Sequence, residues 1–191
     1  SATIQGFVTR PPRARAALLD VRLIRGLPAV ADRPVALTIG NFDGVHRGHQ
    51  AMLARLIEAA DDLGLVPAVL TFAPHPREFF SKEHAPPRLS SLRGKLDVLR
   101  TLGVERVFVA RFGRAFASLD PDRFVEEVLV RRLGARWVLV GEDFRYGRAR
   151  AGDLALLRRH ARTFSVEAMH AVEVHGERAS STLVREALAA G

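Results

Sequence analysis

Residues 35–63, VALTIGNFDGVHRGHQAMLARLIEAADDL, place a strand, a glycine-punctuated turn and a helix in immediate succession. Val35–Ile39 is short, apolar and bounded by Pro34 and Gly40, as a buried strand is. Met52, Leu53, Leu56, Ile57, Ala60 and Leu63 then recur at helical spacing, with Gly64 and Pro67 as the stop, so His49–Leu63 is predicted as an amphipathic helix. Working outward, the same alternation continues. Strands are expected at Val66–Phe72, Val107–Ala110, Trp137–Val140 and Val166–His170, with a further one around Val21–Ile24. Helices are expected at Ser91–Leu102, Asp122–Leu133, Asp153–Ala161 and Leu183–Ala190, with Gly103 and Gly134 where terminating glycines belong. Successive strand–helix units of this kind predict an α/β protein: a Rossmann-like open parallel sheet with helices on both faces, one domain over residues 1–191. Ser81–Ser90, which contains Pro86 and Pro87, reads as a mobile flap.

Composition narrows the function classes. The 191 residues are 48% hydrophobic and 26% charged, those of an ordinary globular chain. Cysteine is absent, which excludes a disulfide framework, a thiolate metal site and a cysteine nucleophile. No apolar run approaches the roughly 20 residues that span a bilayer, and Ser1–Arg15 lacks the apolar core of a signal peptide, so a cytoplasmic protein is expected. The formal charge is +8; of 29 basic residues two are lysines, Lys82 and Lys95, leaving 27 arginines. Such an excess draws phosphate, in a nucleotide or a nucleic acid, but it also follows from coding DNA rich in G and C.

The chemistry concentrates at two places. In Asn41-Phe42-Asp43-Gly44-Val45-His46-Arg47-Gly48-His49, the turn's N–H groups and two imidazoles meet a helix N-terminus, which is an anion site. A lone histidine at a strand end is ordinarily a packed or capping residue. Two of them three apart, with Gly48 between, can set donors against two oxygens of one phosphate chain. Near the other end stand Ser180, Ser181, Thr182 and Arg185, before the last expected helix. A capping box would carry Glu or Gln three residues after Thr182. Arg185 stands there instead, unfavourable beside the positive end of the helix dipole unless an anion binds.

Together the HxGH motif of His46–His49 and the SSTxxR motif of Ser180–Arg185 resemble those of the nucleotidylyltransferases. The segments Thr38–Gln50 (TIGNFDGVHRGHQ), Leu70–Pro76 (LTFAPHP) and Gly141–Gly147 (GEDFRYG) resemble, more narrowly, the FMN adenylyltransferase module of the prokaryotic FAD synthetases. The resemblance implies transfer of AMP from ATP to the phosphate of FMN, giving FAD and pyrophosphate by direct attack, without a covalent intermediate. It implies that His46 and His49 hold the triphosphate and stabilise charge at the α-phosphate, and that Ser181, Thr182 and Arg185 grip the β- and γ-phosphates, Arg185 through its fork. It further implies that Asn41, Phe42, Asp43, Gly44, Gly48, Gly141 and Asp143 line the ATP site and that Phe72, Pro74, His75 and Pro76 line the flavin site. Mg²⁺, bound mainly by phosphate oxygens and water, is the expected cofactor, with no protein ligand assigned to it.

Bifunctional members of that family continue into a riboflavin kinase module. This chain ends at Gly191, so a separate or deleted kinase module is expected and kinase activity is not assigned. Three other readings stay open at this point: a sister nucleotidylyltransferase with another phosphate acceptor, a catalytically idle flavin or nucleotide sensor on the same fold, and an arginine-driven nucleic-acid-binding domain. The expected partners are ATP and FMN, with no nucleic acid and no membrane. His84, His160, His170 and His175 show no metal-ligand spacing, and Arg158, Arg159 and Arg162 read as a solvated face.

Overall fold

A computed structural model describes residues 21–80, 89–160 and 162–170, and the backbone of 173–174 and 177–178. The expected helix Leu183–Ala190 and residues 81–88 of the expected flap lie outside the described residues.

Six parallel strands form the central sheet. They are β1 (Arg22–Arg25), β2 (Val35–Ile39), β3 (Val66–Ala73), β4 (Arg106–Arg111), β5 (Ala135–Gly141) and β6 (Ser165–Met169), in the spatial order β1-β4-β3-β2-β5-β6. From β2 the chain winds outward through β3 and β4, then returns to the other side of β2 to lay down β5 and β6. The reversal lies between β2 and β5, and in open parallel sheets ligands bind outside the carboxyl ends of the strands at that point. β7 (Glu173–Val174) and β8 (Glu177–Arg178) add a small antiparallel pair that the sequence pattern did not announce.

Both faces of the sheet are covered. Val35, Leu37 and Ile39 point to one side, where they meet Val138, Val140, Phe124, Val128, Leu129 and Leu157. Ala36, Val69, Val107 and Leu139 point to the other, against Leu53, Leu56 and Ala60 of helix α1 (Arg47–Leu63) and Leu99 of the helix over Leu92–Thr101. The all-buried run of β2 is the signature of a central strand with helices on both sides.

Helix α1 begins two residues before the expected His49, because His46 takes the extended backbone of an N-cap (φ −64°, ψ 171°) and Arg47 already winds. Gly64 ends it in the left-handed region at φ +66°. After β3, Pro76–Phe80 forms a short helix, α2, opened by a proline at the first position, where its missing N–H costs nothing. Helix α3 (Leu92–Thr101) starts at the N-cap Ser91, whose hydroxyl accepts from the Gly94 N–H at 3.1 Å. Gly103 and Gly134 take positive φ, +92° and +68°, after the helices they end.

One expectation is corrected. Asp122–Leu133 is not a single α-helix. After the turn α4 (Arg114–Ala117), a short α-helical turn, α5 (Pro121–Arg123), leads into a π-helix over Phe124–Arg132. The i→i+5 winding takes more residues per turn than the 3.6 of an α-helix, which brings Phe124, Val128 and Leu133 onto one buried stripe. Helix α6 (Leu154–Arg159) is capped by the Asp153 carboxylate on the Leu156 N–H at 2.8 Å; it is shorter than expected, and Ala161 lies outside the described residues. Arg158, Arg159 and Arg162 are exposed, as expected of a solvated face. No described helix is long and apolar enough to cross a membrane.

Candidate active site

Because all six strands run parallel, the turns that follow β2, β3, β4 and β5 open on one edge of the sheet. Residues 40–46, between β2 and α1, form an arch with unusual backbone. Phe42 and Val45 both take positive φ, +49° and +33°, a region that side-chain-bearing residues avoid and a β-branched valine most of all. The arch is held by its neighbours. The buried Asp43 carboxylate accepts from the N–H of Leu89 (3.0 Å), the N–H of Ser90 (3.1 Å) and the Ser90 hydroxyl (3.2 Å). The Gly44 N–H donates to Ser90 Oγ at 3.3 Å, and Gln50 Nε2 to the Val45 carbonyl at 3.0 Å. The Asn41 carbonyl accepts from the Lys95 ammonium and from Thr71 Oγ1.

His46 and His49 leave this arch as a stacked pair. Their ring centroids are 3.7 Å apart at 24°, and the wholly buried Phe42 ring packs on His49 at 4.9 Å. Buried atoms normally find a partner, yet Asn41 Oδ1, His46 Nδ1 and His49 Nδ1 are buried and have none among the described residues. Burial lowers the pKa of His46. For His49, burial, then the neighbouring His46, then Lys95, push it down to about 3, against a smaller opposing effect of Asp43. Both rings are therefore neutral near pH 7, each with one N–H to donate. The first N–H groups of α1 lie at the same end.

The turn after β3 carries Pro74, His75 and Pro76. His75 Nδ1 accepts from the Arg77 N–H at 3.0 Å, which engages one ring nitrogen at the start of α2. Burial lowers the His75 pKa, against an opposing effect of Glu78, with Arg77 and, less, Lys95 lowering it further and Asp43 raising it.

Beside that turn lies an open cavity of about 870 Å³, lined by Pro74, Glu78, Phe79, Phe80, Arg111, Phe112, Gly113 and Arg114. Phe112 is the hub of an aromatic cluster there: the lining residues Phe79 and Phe80, and Phe72 outside the lining, each stand edge-on to it, with centroids 5.6–5.8 Å away. Of the residues expected at the flavin site, Pro74 lines this cavity while Phe72, His75 and Pro76 do not, and Phe79, Phe80 and Phe112 were not among those expected. The available signal was the Phe79-Phe80 pair and the Arg111-Phe112-Gly113 run directly after a strand.

Gly141 ends β5, the strand beside β2, and Asp143 is exposed just beyond it. A Cβ on Gly141 would stand 3.1 Å from Asp143 Oδ1, so glycine there leaves the carboxylate its place. Tyr146 in the same segment turns inward. Its ring stacks with Phe144 at 5.5 Å, packs on Phe124 and lies where any Cβ on Gly152 would stand, 2.6 Å away. Burial and then the nearby Asp122 and Asp153 raise the Tyr146 phenol to about 12. Of the sequence-derived candidates, Asn41, Phe42, Asp43, Gly44, His46, Gly48 and His49 share the arch and the first turn of α1. Pro74, His75 and Pro76 share the next turn, and Gly141 and Asp143 stand at the neighbouring strand end. Ser180, Ser181, Thr182 and Arg185 lie outside the described residues.

Elsewhere, His160 pairs with Asp122 at 2.9 Å and His170 with Glu142 at 2.7 Å. Among the described residues no group of three or more His, Asp or Glu side chains is placed to cage a metal ion. The arch and the helix end offer mainly N–H groups and ring nitrogens, a set that fits phosphate oxygens, with any hard cation held by those oxygens and water.

The FAD synthetase family profile matches residues 29–183. A bifunctional riboflavin kinase/FMN adenylyltransferase from Pseudomonas fluorescens is 47% identical over 175 residues, covering 89% of this chain and 56% of that protein. The chain therefore spans little more than half the length of that relative. Among solved structures, a macrolide-efflux protein from Streptococcus pneumoniae aligns with a TM-score of 0.77 at 24% identity, over 87% of this chain and 57% of its own. A pantoate-β-alanine ligase from Francisella tularensis, complexed with β-γ ATP and β-alanine, aligns with a TM-score of 0.52 at 11% identity, over 86% and 73%. At such identities the structural likeness speaks for the doubly wound fold alone. With the profile running from the loop before β2 to Leu183, the chain belongs to the FAD synthetase family.

Proposed function

We propose that this chain transfers AMP from ATP to the phosphate of FMN, giving FAD and pyrophosphate. The observation that carries the reading is the stacked His46–His49 pair, with unpartnered buried ring nitrogens at the start of α1, on the same sheet edge as the turn that borders an aromatic cavity. A phosphate chain suits the first and a flat heteroaromatic ring suits the second.

On this reading an FMN phosphate oxygen attacks the α-phosphorus as the bond to the pyrophosphate oxygen breaks, and the protein supplies position and charge stabilisation. Neutral His46 and His49 donate ring N–H bonds to phosphate oxygens at the positive end of the α1 dipole. Asn41 and Gly48 let the triphosphate approach the backbone, while Phe42, Asp43 and Gly44 shape the arch. Asp143 accepts from ribose hydroxyls in the room that Gly141 leaves. Ser181, Thr182 and Arg185 take the β- and γ-phosphates. Phe72, Pro74, His75 and Pro76, with Phe79, Phe80 and Phe112, wall the flavin ring. Mg²⁺ carried on the phosphates would neutralise part of their charge. Residues 1–191 act as one adenylyltransferase unit.

Incubation with ATP, Mg²⁺ and either FMN or riboflavin, followed by chromatographic separation of the flavins, tests the proposal. FAD is expected from FMN and not from riboflavin. No FAD from FMN, with both ligands binding by calorimetry, would replace catalysis with sensing. Phe112→Ala is expected to raise KM for FMN about tenfold and leave KM for ATP within twofold, since the loss of an aromatic wall is worth on the order of 1–2 kcal/mol.

A further inference from the structure

Lysine is scarce in this chain, two residues against 27 arginines, and one of the two sits beside the histidine arch. Lys95 lies in the first half of α3 and donates its ammonium to the carbonyl of Asn41, 54 residues away in sequence. Asn41 stands at the head of the arch. Beyond it come Phe42 and Val45, whose positive φ the chain would relax if it were free to do so. The same stretch of chain supplies the other anchor, since Leu89 and Ser90, just ahead of α3, bind the Asp43 carboxylate. An ammonium on a slender stem reaches a single carbonyl as a point charge, and a charge-assisted bond is about twice as strong as a neutral one. The broader guanidinium fork does not occupy that position in the same way.

We propose that Lys95 is a positioning residue for the His46–His49 pair: its ammonium fixes the Asn41 carbonyl, and through it the arch from which both imidazoles meet the phosphates. Its charge also acts on both rings that flank the site, lowering the proton affinity of His49 and of His75. The charged and titratable groups that act on His49 are His46, Lys95 and Asp43, and Lys95 adds to the larger effects of burial and of His46 in lowering its proton affinity. The inference rests on the adenylyl-transfer reading for its effect on rate, while its effect on His49 stands independently of that reading.

The test compares the unaltered chain with Lys95→Met and Lys95→Arg by two measurements. NMR of histidine-labelled protein follows the His49 titration, and steady-state assay with FMN and ATP separates kcat from KM. In Lys95→Met, His49 is expected to titrate at higher pH, by about half a unit or more. Its kcat is expected to fall about 10- to 100-fold, the scale of a misplaced reacting group, with KM for FMN within twofold. Lys95→Arg keeps the charge and changes the geometry, so His49 is expected to titrate as in the unaltered chain while kcat still falls by about tenfold. A His49 titration in Lys95→Met that coincides with the unaltered chain overturns the proposal, as does a kcat within twofold. Should the unaltered chain form no FAD, the adenylyl-transfer reading fails, and the His49 titrations still decide what Lys95 does.

Discussion

His49 shows how a single side chain is tuned by what surrounds it. Burial first, then His46 and Lys95, hold its pKa at about 3, far below the ordinary 6.5. Between those values the unfolded chain binds a proton that the folded chain refuses, so stability is full above pH 6.5 and is lost as pH falls toward 3. His49→Gln removes this contribution. Its melting temperature is expected to drop less than that of the unaltered chain between pH 7 and pH 4, by scanning calorimetry in matched buffers. His49→Ala is expected to lower kcat for FAD formation about 10²-fold, the scale of a lost donor to developing charge; a change within twofold would return His49 to a packing role. The pair itself was legible in the sequence, because two histidines flanking a glycine at a strand-to-helix junction have few other uses. The unpartnered ring nitrogens and the stacking were not, because both depend on where Phe42 and the arch place the rings.

At the scale of the element, the arch of residues 40–46 is strained by itself and stable only against α3 and the residues ahead of it. Gly44 is where the two meet: at φ +73°, a Cβ there would stand 2.8 Å from Leu89 Cδ1. Gly26 has a similar φ, +85°, with nothing within 4 Å of its Cβ position, and so reports backbone strain alone. Gly26→Ala is expected to cost about 1 kcal/mol and Gly44→Ala about 2 kcal/mol, read from denaturant midpoints, with activity impaired only in the second. Equal costs would mean that Leu89 yields freely. Strand and helix positions were legible from periodicity, since burial on one or two faces writes itself into the spacing. The π-winding of Phe124–Arg132 was not, because its apolar spacing also fits an ordinary helix and only the packing against the sheet selects the wider turn.

Across the whole molecule, the edge strand and the loop after it are tied to the sheet by an ion pair. The Arg106 guanidinium on β4, 7% exposed, holds the Asp32 carboxylate just ahead of β2, with Arg22 of β1 at 3.3 Å from the same group. The Arg106 hydrogen bond, more than any other influence, lowers the Asp32 pKa. Asp32→Ala leaves a nearly buried guanidinium without this carboxylate and is expected to cost about 2 kcal/mol, measured by urea unfolding, with KM for ATP and FMN little changed. A cost below about 0.5 kcal/mol would show that Arg22, Arg106 and water rearrange without penalty.

The sequence by itself determined the layering and the direction of the strands, because short apolar runs alternating with amphipathic stretches have one economical solution, a parallel sheet covered on both faces. It also determined that the His46–His49 motif follows a strand and opens a helix, since that junction is written in consecutive residues. Only the tertiary structure decided which distant groups complete the site. The Lys95–Asn41 and Asp43–Leu89 contacts span 54 and 46 residues, and Phe112 meets Phe79 and Phe80 through the adjacency of β3 and β4. Contacts of that separation are set by strand order and packing, which local pattern does not encode.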